Sequence, residues 1–198
     1  MLPELRAQIK QEFIDSLLLS EKPSSQCIVI PVGFIGSGKT TVMQYLAEKM
    51  SLIRLSNDEL RVMLLKHGQD FSELKAIAKE VLDEHLQKGY SIAIDGNGGT
   101  QATKAFIEEL ARKHKVPVFW VRIHAPEEVI LEHIRGRKNA LLTNDNEVMV
   151  RNYYAQKEES LKNPVEISFF GDIDTSKDDV VAQMDGLASA IKETLSKA

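Results

Sequence analysis

The stretch Gly33-Phe34-Ile35-Gly36-Ser37-Gly38-Lys39-Thr40-Thr41 fits the phosphate-loop pattern G-x-x-x-x-G-K-[ST] from Gly33 to Thr40. The pattern is weak by itself, so its flanks carry the argument. Before it runs the apolar, β-branched segment Cys27-Ile28-Val29-Ile30-Pro31-Val32, short enough for a strand buried on both faces. After it, Val42, Tyr45, Leu46 and Lys49 recur at helical spacing. Strand, loop and helix follow one another in the order a phosphate-binding loop requires.

Each residue type in the loop has a mechanical reason. Gly33, Gly36 and Gly38 let the backbone curl so that successive N–H groups, including those of Ser37, Lys39, Thr40 and Thr41, face the phosphates at a helix N-terminus. Lys39 reaches the β- and γ-phosphates as a catalytic charge clamp. The Thr40 hydroxyl is a ligand for Mg2+, a cation that prefers oxygen and bridges phosphate oxygens. ATP and Mg2+ are therefore the expected cofactors, with residues 33 and 36–41 binding the nucleotide.

A chain of 198 residues is long enough for one domain built on a central sheet covered on both faces, and two domains would be cramped. Hydrophobic residues at 43% and charged residues at 27% are ordinary globular values. The net charge of −4 argues against broad binding of duplex nucleic acid, which needs a basic face. The single cysteine, Cys27, reads as a buried, inert thiol in the first strand. Leu17-Leu18-Leu19 is too short for a signal-peptide core or a membrane span, so no membrane partner and a cytoplasmic location are expected. The five histidines show no metal-ligand spacing, read as helix-surface or strand-end residues, and imply no zinc. The expected assembly is a monomer or weak dimer.

Taken in order, residues 1–25 form a helix and connector, the helix carrying Leu5, Ile9, Phe13 and Leu17 and packing on the outside before the core begins. The core spans 26–196. Leu52 to Ser56 reads as a second strand, and the polar cluster Ser56-Asn57-Asp58 caps the helix that follows. Phe71 to Lys88 is a further helix closed by Gly89, and Tyr90 to Asp95 a buried strand ending in a carboxylate. A helix from about Thr100 to His114 leads to strand Val116–Ile123, and Pro126 opens the helix Glu127–Ile134 from its first turn. Arg135-Gly136-Arg137-Lys138 ends that helix in a basic cluster, and the polar, turn-rich stretch from Asn139 to Glu147 leads to a helix over Val148–Leu161. Residues 135–163 read as a lid. Ile167-Ser168-Phe169-Phe170 is the expected last strand, Asp172 to Ser176 its exit, and Val180, Met184, Leu187, Ile191 and Leu195 mark a final helix. The fold class is α/β: a three-layer, five-stranded parallel sheet with helices on both faces and a helical lid, in the P-loop nucleoside triphosphate hydrolase manner.

Three constellations add chemistry. Asp58 and Arg61 follow the second strand at i, i+3, on one helix face near the loop. A carboxylate there can orient an acceptor hydroxyl and take its proton, and an arginine can hold a substrate anion. The plain alternative is that Asp58 only caps the helix and Arg61 is a surface charge. Asp95 fits a water-mediated Mg2+ role, with Asn97 beside it on the substrate side; the alternative is a turn-forming Asp. Arg135 and Arg137 can fold over the γ-phosphate as catalytic cations, or merely complement a helix dipole.

The ordered set Gly33-x4-Gly38-Lys39-Thr40, Asp58-x2-Arg61, Asp95-x-Asn97, Arg135-x-Arg137 and Ile173-Asp174-Thr175-Ser176 resembles the P-loop kinases grouped with polynucleotide 5′-hydroxyl kinases and zeta-toxin-type kinases. The resemblance covers about residues 26–196. It implies Asp58 as the base for the acceptor hydroxyl, Arg61 as a substrate contact, the lid arginines on ATP phosphates, and Asp174 and Thr175 bordering the adenine. An Arg that often follows the Asp95-type motif in polynucleotide kinases has Lys104 as its nearest cation here, and the zeta-toxin branch is usually longer, so neither acceptor carries over.

A molecular switch that hydrolyses GTP or ATP is the second reading, because Asp95-Gly96-Asn97-Gly98 also fits D-x-x-G and Ser176-Lys177-Asp178-Asp179 loosely fits a guanine-reading motif. Against it, no Thr stands at an obvious switch position between Met50 and Phe71, and a lid bearing Arg135 and Arg137 has no purpose in a switch that borrows its arginine. The expected partners are a nucleoside triphosphate and a hydroxyl acceptor: a small molecule, a nucleotide derivative or an oligonucleotide 5′ end. Residues 58–75, 97–104 and the lid would build the acceptor pocket without a readable code.

Overall fold

The computed structural model describes residues 1–18, 21–137 and 145–197. The Lys138 end of the basic cluster and most of the turn-rich stretch after it lie outside the described residues. Five strands, β1 (Ile28–Val32), β2 (Ile53–Ser56), β3 (Ile92–Asp95), β4 (Val118–His124) and β5 (Gly171–Asp174), form one sheet in the order β2-β3-β1-β4-β5. All four pairings are parallel. The helices are α1 (Pro3–Ser16), α2 (Lys39–Met50), α3 (Asn57–Lys66), α4 (Leu74–Gln87), α5 (Gln101–His114), α6 (Glu127–Arg135), α7 (Asn146–Lys162) and α8 (Val180–Ser196).

The strand alternation sorts the core into two layers, because successive side chains leave opposite faces of a sheet. Ile28, Ile30, Ile53, Leu55, Ile92, Ile94 and Trp120 pack under α1, α3, α4 and α5. Val29, Ala93, Phe119, Val121, Ile123 and Ile173 pack under α2 and α8. A third, smaller cluster joins Ile130 and Ile134 of α6 to Tyr153 of α7, and the loop residues Phe34 and Ile35 rest on it. α6 and α7 thus have their own apolar contact with the phosphate loop.

Pro31 sits in the central strand without disrupting it. The β1–β3 ladder has already ended at Val29↔Ala93, and the Pro31 carbonyl accepts the N–H of Gly98 at 2.9 Å. Cys27 is fully buried, and that burial pushes its thiol up to about 11, as an inert core sulfur requires.

Four expectations need correction. First, α1 does not sit outside the core: Ile9 and Phe13 are 0% and 2% exposed and belong to the first layer. Arg6 and Lys10 then tie α1 to Glu73, Glu80 and Glu84 on or beside α4, an attachment between residues some 70 positions apart that local periodicity does not reveal. Second, the last strand is Gly171–Asp174, not Ile167–Phe170. Its position is set by pairing with β4, Val121↔Gly171 through His124↔Asp174, and as an edge strand it need bury only Ile173. The more apolar Phe169 and Phe170 stay 40% exposed, Phe170 meeting Phe119 edge to face. Third, His85 is buried within α4, its Nδ1 donating to the Val81 carbonyl at 2.8 Å. Fourth, Pro126 is the N-cap of α6 rather than part of its first turn.

Candidate active site

The loop from Gly33 to Gly38 leaves the C-terminal end of β1 and delivers the chain into α2, whose first residue is Lys39. Gly38 caps α2 in the left-handed region, φ 87°, and makes no side-chain cap bond. The first N–H groups of α2 therefore have no side chain of the N-cap to satisfy them, and its first turn holds no acid to repel an anion. Gly36 is also left-handed, φ 83°, and a Cβ there would lie 2.9 Å from the Ile130 carbonyl oxygen, so α6 packs against bare backbone.

Lys39 Nζ donates to the Phe34 carbonyl at 2.7 Å, folding across the mouth of the loop. Burial drives its pKa down to about 8, the charges of Asp95 and Asp58 pull it back up, and Arg137 pushes it down. The charges of Asp58 on α3, Asp95 at the end of β3 and Arg137 just beyond α6 thus all act on this ammonium group.

Asp95 ends β3 and is 6% exposed. Thr40 Oγ1 donates to its Oδ1 at 3.1 Å, and Arg54 Nη1 to its Oδ2 at 2.6 Å. Burial raises its pKa, while Arg54 and Thr40 oppose that rise. A buried carboxylate paired with the loop hydroxyl is the hard, all-oxygen donor set that suits Mg2+, so Thr40 and Asp95 fit the ion the loop implies. The turn-forming alternative for Asp95 does not describe its contacts.

Ser56, not Asp58, caps α3: its hydroxyl accepts the Glu59 N–H at 3.4 Å. Asp58 lies in the first turn of α3 and accepts from Arg61 Nη1 at 2.5 Å. The Arg61 guanidinium also stands 6.0 Å from the ring centre of Phe71, which is 43% exposed. The i, i+3 spacing thus produces a joined pair facing solvent beside an aromatic surface.

Other expected residues have different surroundings. Asn97 Oδ1 accepts the Gly99 N–H at 3.0 Å and so closes its own turn. Asp174 Oδ1 accepts from the Ser176 N–H and hydroxyl, contacts that hold its carboxyl below the usual range. Thr175 lies against Gly38, with its hydroxyl near the Ser37 and His124 carbonyls, so it buttresses the loop. The Ser37 hydroxyl is buried without a hydrogen-bond partner among the described residues. Thr41 is exposed in the first turn of α2. Arg135 and Arg137 are exposed at the end of α6, the Arg135 carbonyl accepting from Asn146 of α7.

Sequence reasoning missed two sets of residues. Arg54 is a charge inside a four-residue buried strand, and that placement was the available signal. Gln156 accepts the Ile35 N–H at 2.9 Å, Tyr153 meets Phe34 edge to face, and His133 Nδ1 donates to the Gly36 carbonyl at 3.0 Å. The spacing of Met149, Tyr153 and Gln156 on α7 was the only hint that this face touches the loop.

A protein-family model described as "AAA domain" matches residues 28–159. A shikimate kinase from Azobacteroides pseudotrichonymphae genomovar. CFP2 is 30% identical over 76 residues, 35% of this chain, and the match spans only 45% of that relative. Among solved structures, a putative kinase from Chloroflexus aurantiacus j-10-fl superposes with a TM-score of 0.61 at 18% identity, over 86% of this chain and 98% of that one. A gluconokinase from Sinorhizobium meliloti 1021 gives 0.57 at 16% identity over 88% and 97%. A shikimate kinase from Bacteroides thetaiotaomicron gives 0.53 at 14% over 86% and 98%. At these identities the structures establish a shared fold, the three-layer α/β P-loop fold of kinases.

Proposed function

Since the chain belongs to the AAA domain family, we propose that it is an ATP-dependent phosphotransferase, moving the γ-phosphoryl group of ATP to a hydroxyl of an acceptor. The observation that carries this reading is the convergence of Lys39, Thr40, Asp95 and Asp58 at one end of the sheet. The kinase names of the relatives support it. In finer detail, the ordered motifs support a kinship with the polynucleotide 5′-hydroxyl kinase and zeta-toxin-like group. The acceptor is a small molecule, a nucleotide derivative or an oligonucleotide 5′ end.

The residues divide the work by position. The loop N–H groups and Lys39 bind and orient the phosphates. Thr40 and Asp95 would hold Mg2+, which when bound supplies charge neutralisation on the phosphate oxygens. Asp58 takes the proton of the acceptor hydroxyl. In the structure its Oδ1 is engaged by Arg61, so an acceptor group that draws Arg61 toward itself also frees the carboxylate. Arg135 and Arg137 close over the transferring group, as contacts that tighten in the transition state. Asp174 and Thr175 border the adenine, and Thr175 also holds the loop from behind.

The test is transfer of labelled γ-phosphate from ATP or GTP to a panel of hydroxy acids, sugars, nucleosides and 5′-hydroxyl oligonucleotides. Saturable transfer to one class supports the reading. Release of phosphate to water alone, unaffected by any acceptor, would replace it with the hydrolytic switch.

A further inference from the structure

Arg54 has no part in the loop motif, yet it lies between the two halves of the site. It stands on β2, the edge strand, opposite Ala93 of β3. Alternation along the strands puts Arg54, Ser56, Ala93 and Asp95 on one face of the sheet, the face covered by α2. The small side chain of Ala93 leaves the guanidinium room to run along the sheet, and it reaches Asp95 with Nη1 and Glu59 of α3 with Nη2. Its side chain is 19% exposed, and that of Asp95 only 6%.

The two oxygens of Asp95 therefore do different things. Oδ2 is held by Arg54 at 2.6 Å, and Oδ1 is left to Thr40 at 3.1 Å. A carboxylate turns freely about its last bond unless something fixes its plane, and a guanidinium can hold it through one oxygen while leaving the other open. Glu59 in turn holds Arg54, and Glu59 follows Asp58 in the first turn of α3. The chain of contacts Thr40, Asp95, Arg54, Glu59 connects the phosphate loop to the helix that carries the proposed base.

We propose that Arg54 is a positioning residue: it fixes the Asp95 carboxylate so that Oδ1 faces Thr40, and through Glu59 ties that carboxylate to the first turn of the helix bearing Asp58. This rests on the reading of Thr40 and Asp95 as a nucleotide-associated Mg2+ site. Partners that orient a metal-binding carboxylate are commonly worth about 10- to 100-fold in metal affinity. Arg54 thus acts on the magnesium-dependent part of nucleotide binding and leaves the loop's own grip on the phosphates unchanged.

The experiment is calorimetric binding of a non-hydrolysable ATP analogue to the full chain, with excess Mg2+ and again with EDTA, for the parent, Arg54→Met, Arg54→Lys and Glu59→Gln. The expected result for Arg54→Met is a ratio of magnesium to EDTA affinity about 10-fold or more below the parent's, with the EDTA affinity within about 2-fold of the parent's. Arg54→Lys, which can reach one carboxylate but not fork to two, falls in between, and it carries the test if Arg54→Met does not fold. Glu59→Gln, which still offers Arg54 a neutral acceptor, changes the ratio least. Equal affinity ratios in the parent and the Arg54 variants overturn the positioning role and leave the proposed function standing. A parallel fall in both affinities together with the melting temperature marks Arg54 as merely structural, which also overturns it. If the parent itself binds the analogue no better with Mg2+ than with EDTA, the reading of the site falls and the role of Arg54 with it.

Discussion

Thr175 Oγ1 lies 3.0 Å from the carbonyl of Ser37, a residue 138 positions earlier, and 3.2 Å from the carbonyl of His124. Its methyl group stands where a side chain on Gly38 would go: a Cβ at Gly38 would meet Thr175 Cγ2 at 2.9 Å. The loop's curvature is therefore held from behind by the turn after β5.

Gly38→Ala should accordingly fail for two separable reasons. The left-handed backbone costs a non-glycine residue about 1–2 kcal/mol, and the contact with Thr175 adds to it. Thr175→Ser removes the methyl group and keeps the hydroxyl, so Gly38→Ala should be less destabilising in the Thr175→Ser background than in the parent. Denaturant melts of the four proteins check this; strict additivity would mean that Thr175 does not crowd the loop.

Lys39 gives a pH signature. Its pKa in the folded chain is about 8, against 10.5 for a free lysine, so between those values the unfolded chain binds more protons than the folded one. The contribution of Lys39 to stability therefore rises with pH across this window and is least favourable below about pH 8. Lys39→Met should melt at or above the parent near pH 7, with the difference shrinking as the pH rises toward 10, while nucleotide binding collapses. Thermal melts across that range decide it, and a variant less stable than the parent at pH 7 would count against a desolvated ammonium.

Nucleotide binding should reverse that depression, because a triphosphate restores the charged form. Near pH 9 the protein should take up a proton when ATP binds. Calorimetry in buffers of different ionisation enthalpy reads the uptake directly, and a binding heat independent of buffer would remove Lys39 from the phosphates.

Asp58 separates a base from a cap. Since Ser56 already caps α3, Asp58→Asn should leave the melting temperature close to the parent's, whereas Ser56→Ala should cost about 0.5–2 kcal/mol. Transfer to the true acceptor should fall by roughly 10² to 10⁴ in Asp58→Asn, with ATP affinity little changed. Normal transfer in this variant would return Asp58 to a surface role.

Of Arg135 and Arg137, Arg137 is the one whose charge reaches Lys39. Arg137→Ala should lower kcat more than it weakens ATP binding, and more than Arg135→Ala does. Steady-state kinetics beside direct binding measurements test the split, and an effect on affinity alone would make Arg137 a ground-state contact.

The residues that reveal themselves in the sequence do so because their chemistry is local. A loop that curls around phosphates needs glycines, a lysine and a threonine at set spacing, and a buried parallel strand needs an apolar run, so residues 27–48 announce both the loop and the α/β class. The order of the strands, β2-β3-β1-β4-β5, and the capture of α1 by the core depend on which apolar face finds which, a matter of long-range packing. Ile167 to Phe170 looked more like a strand than Gly171 to Asp174, since an apolar run is a signal of burial, while an edge strand's register is set by its one neighbour. Arg54 carries no motif at all. Its place between Asp95 and Glu59, like that of Gln156 on Ile35 and Thr175 behind Gly38, exists only once the sheet and α7 have brought together backbones 41, 121 and 137 positions apart, because a polar group buried by tertiary packing must find its partner wherever the fold has placed one.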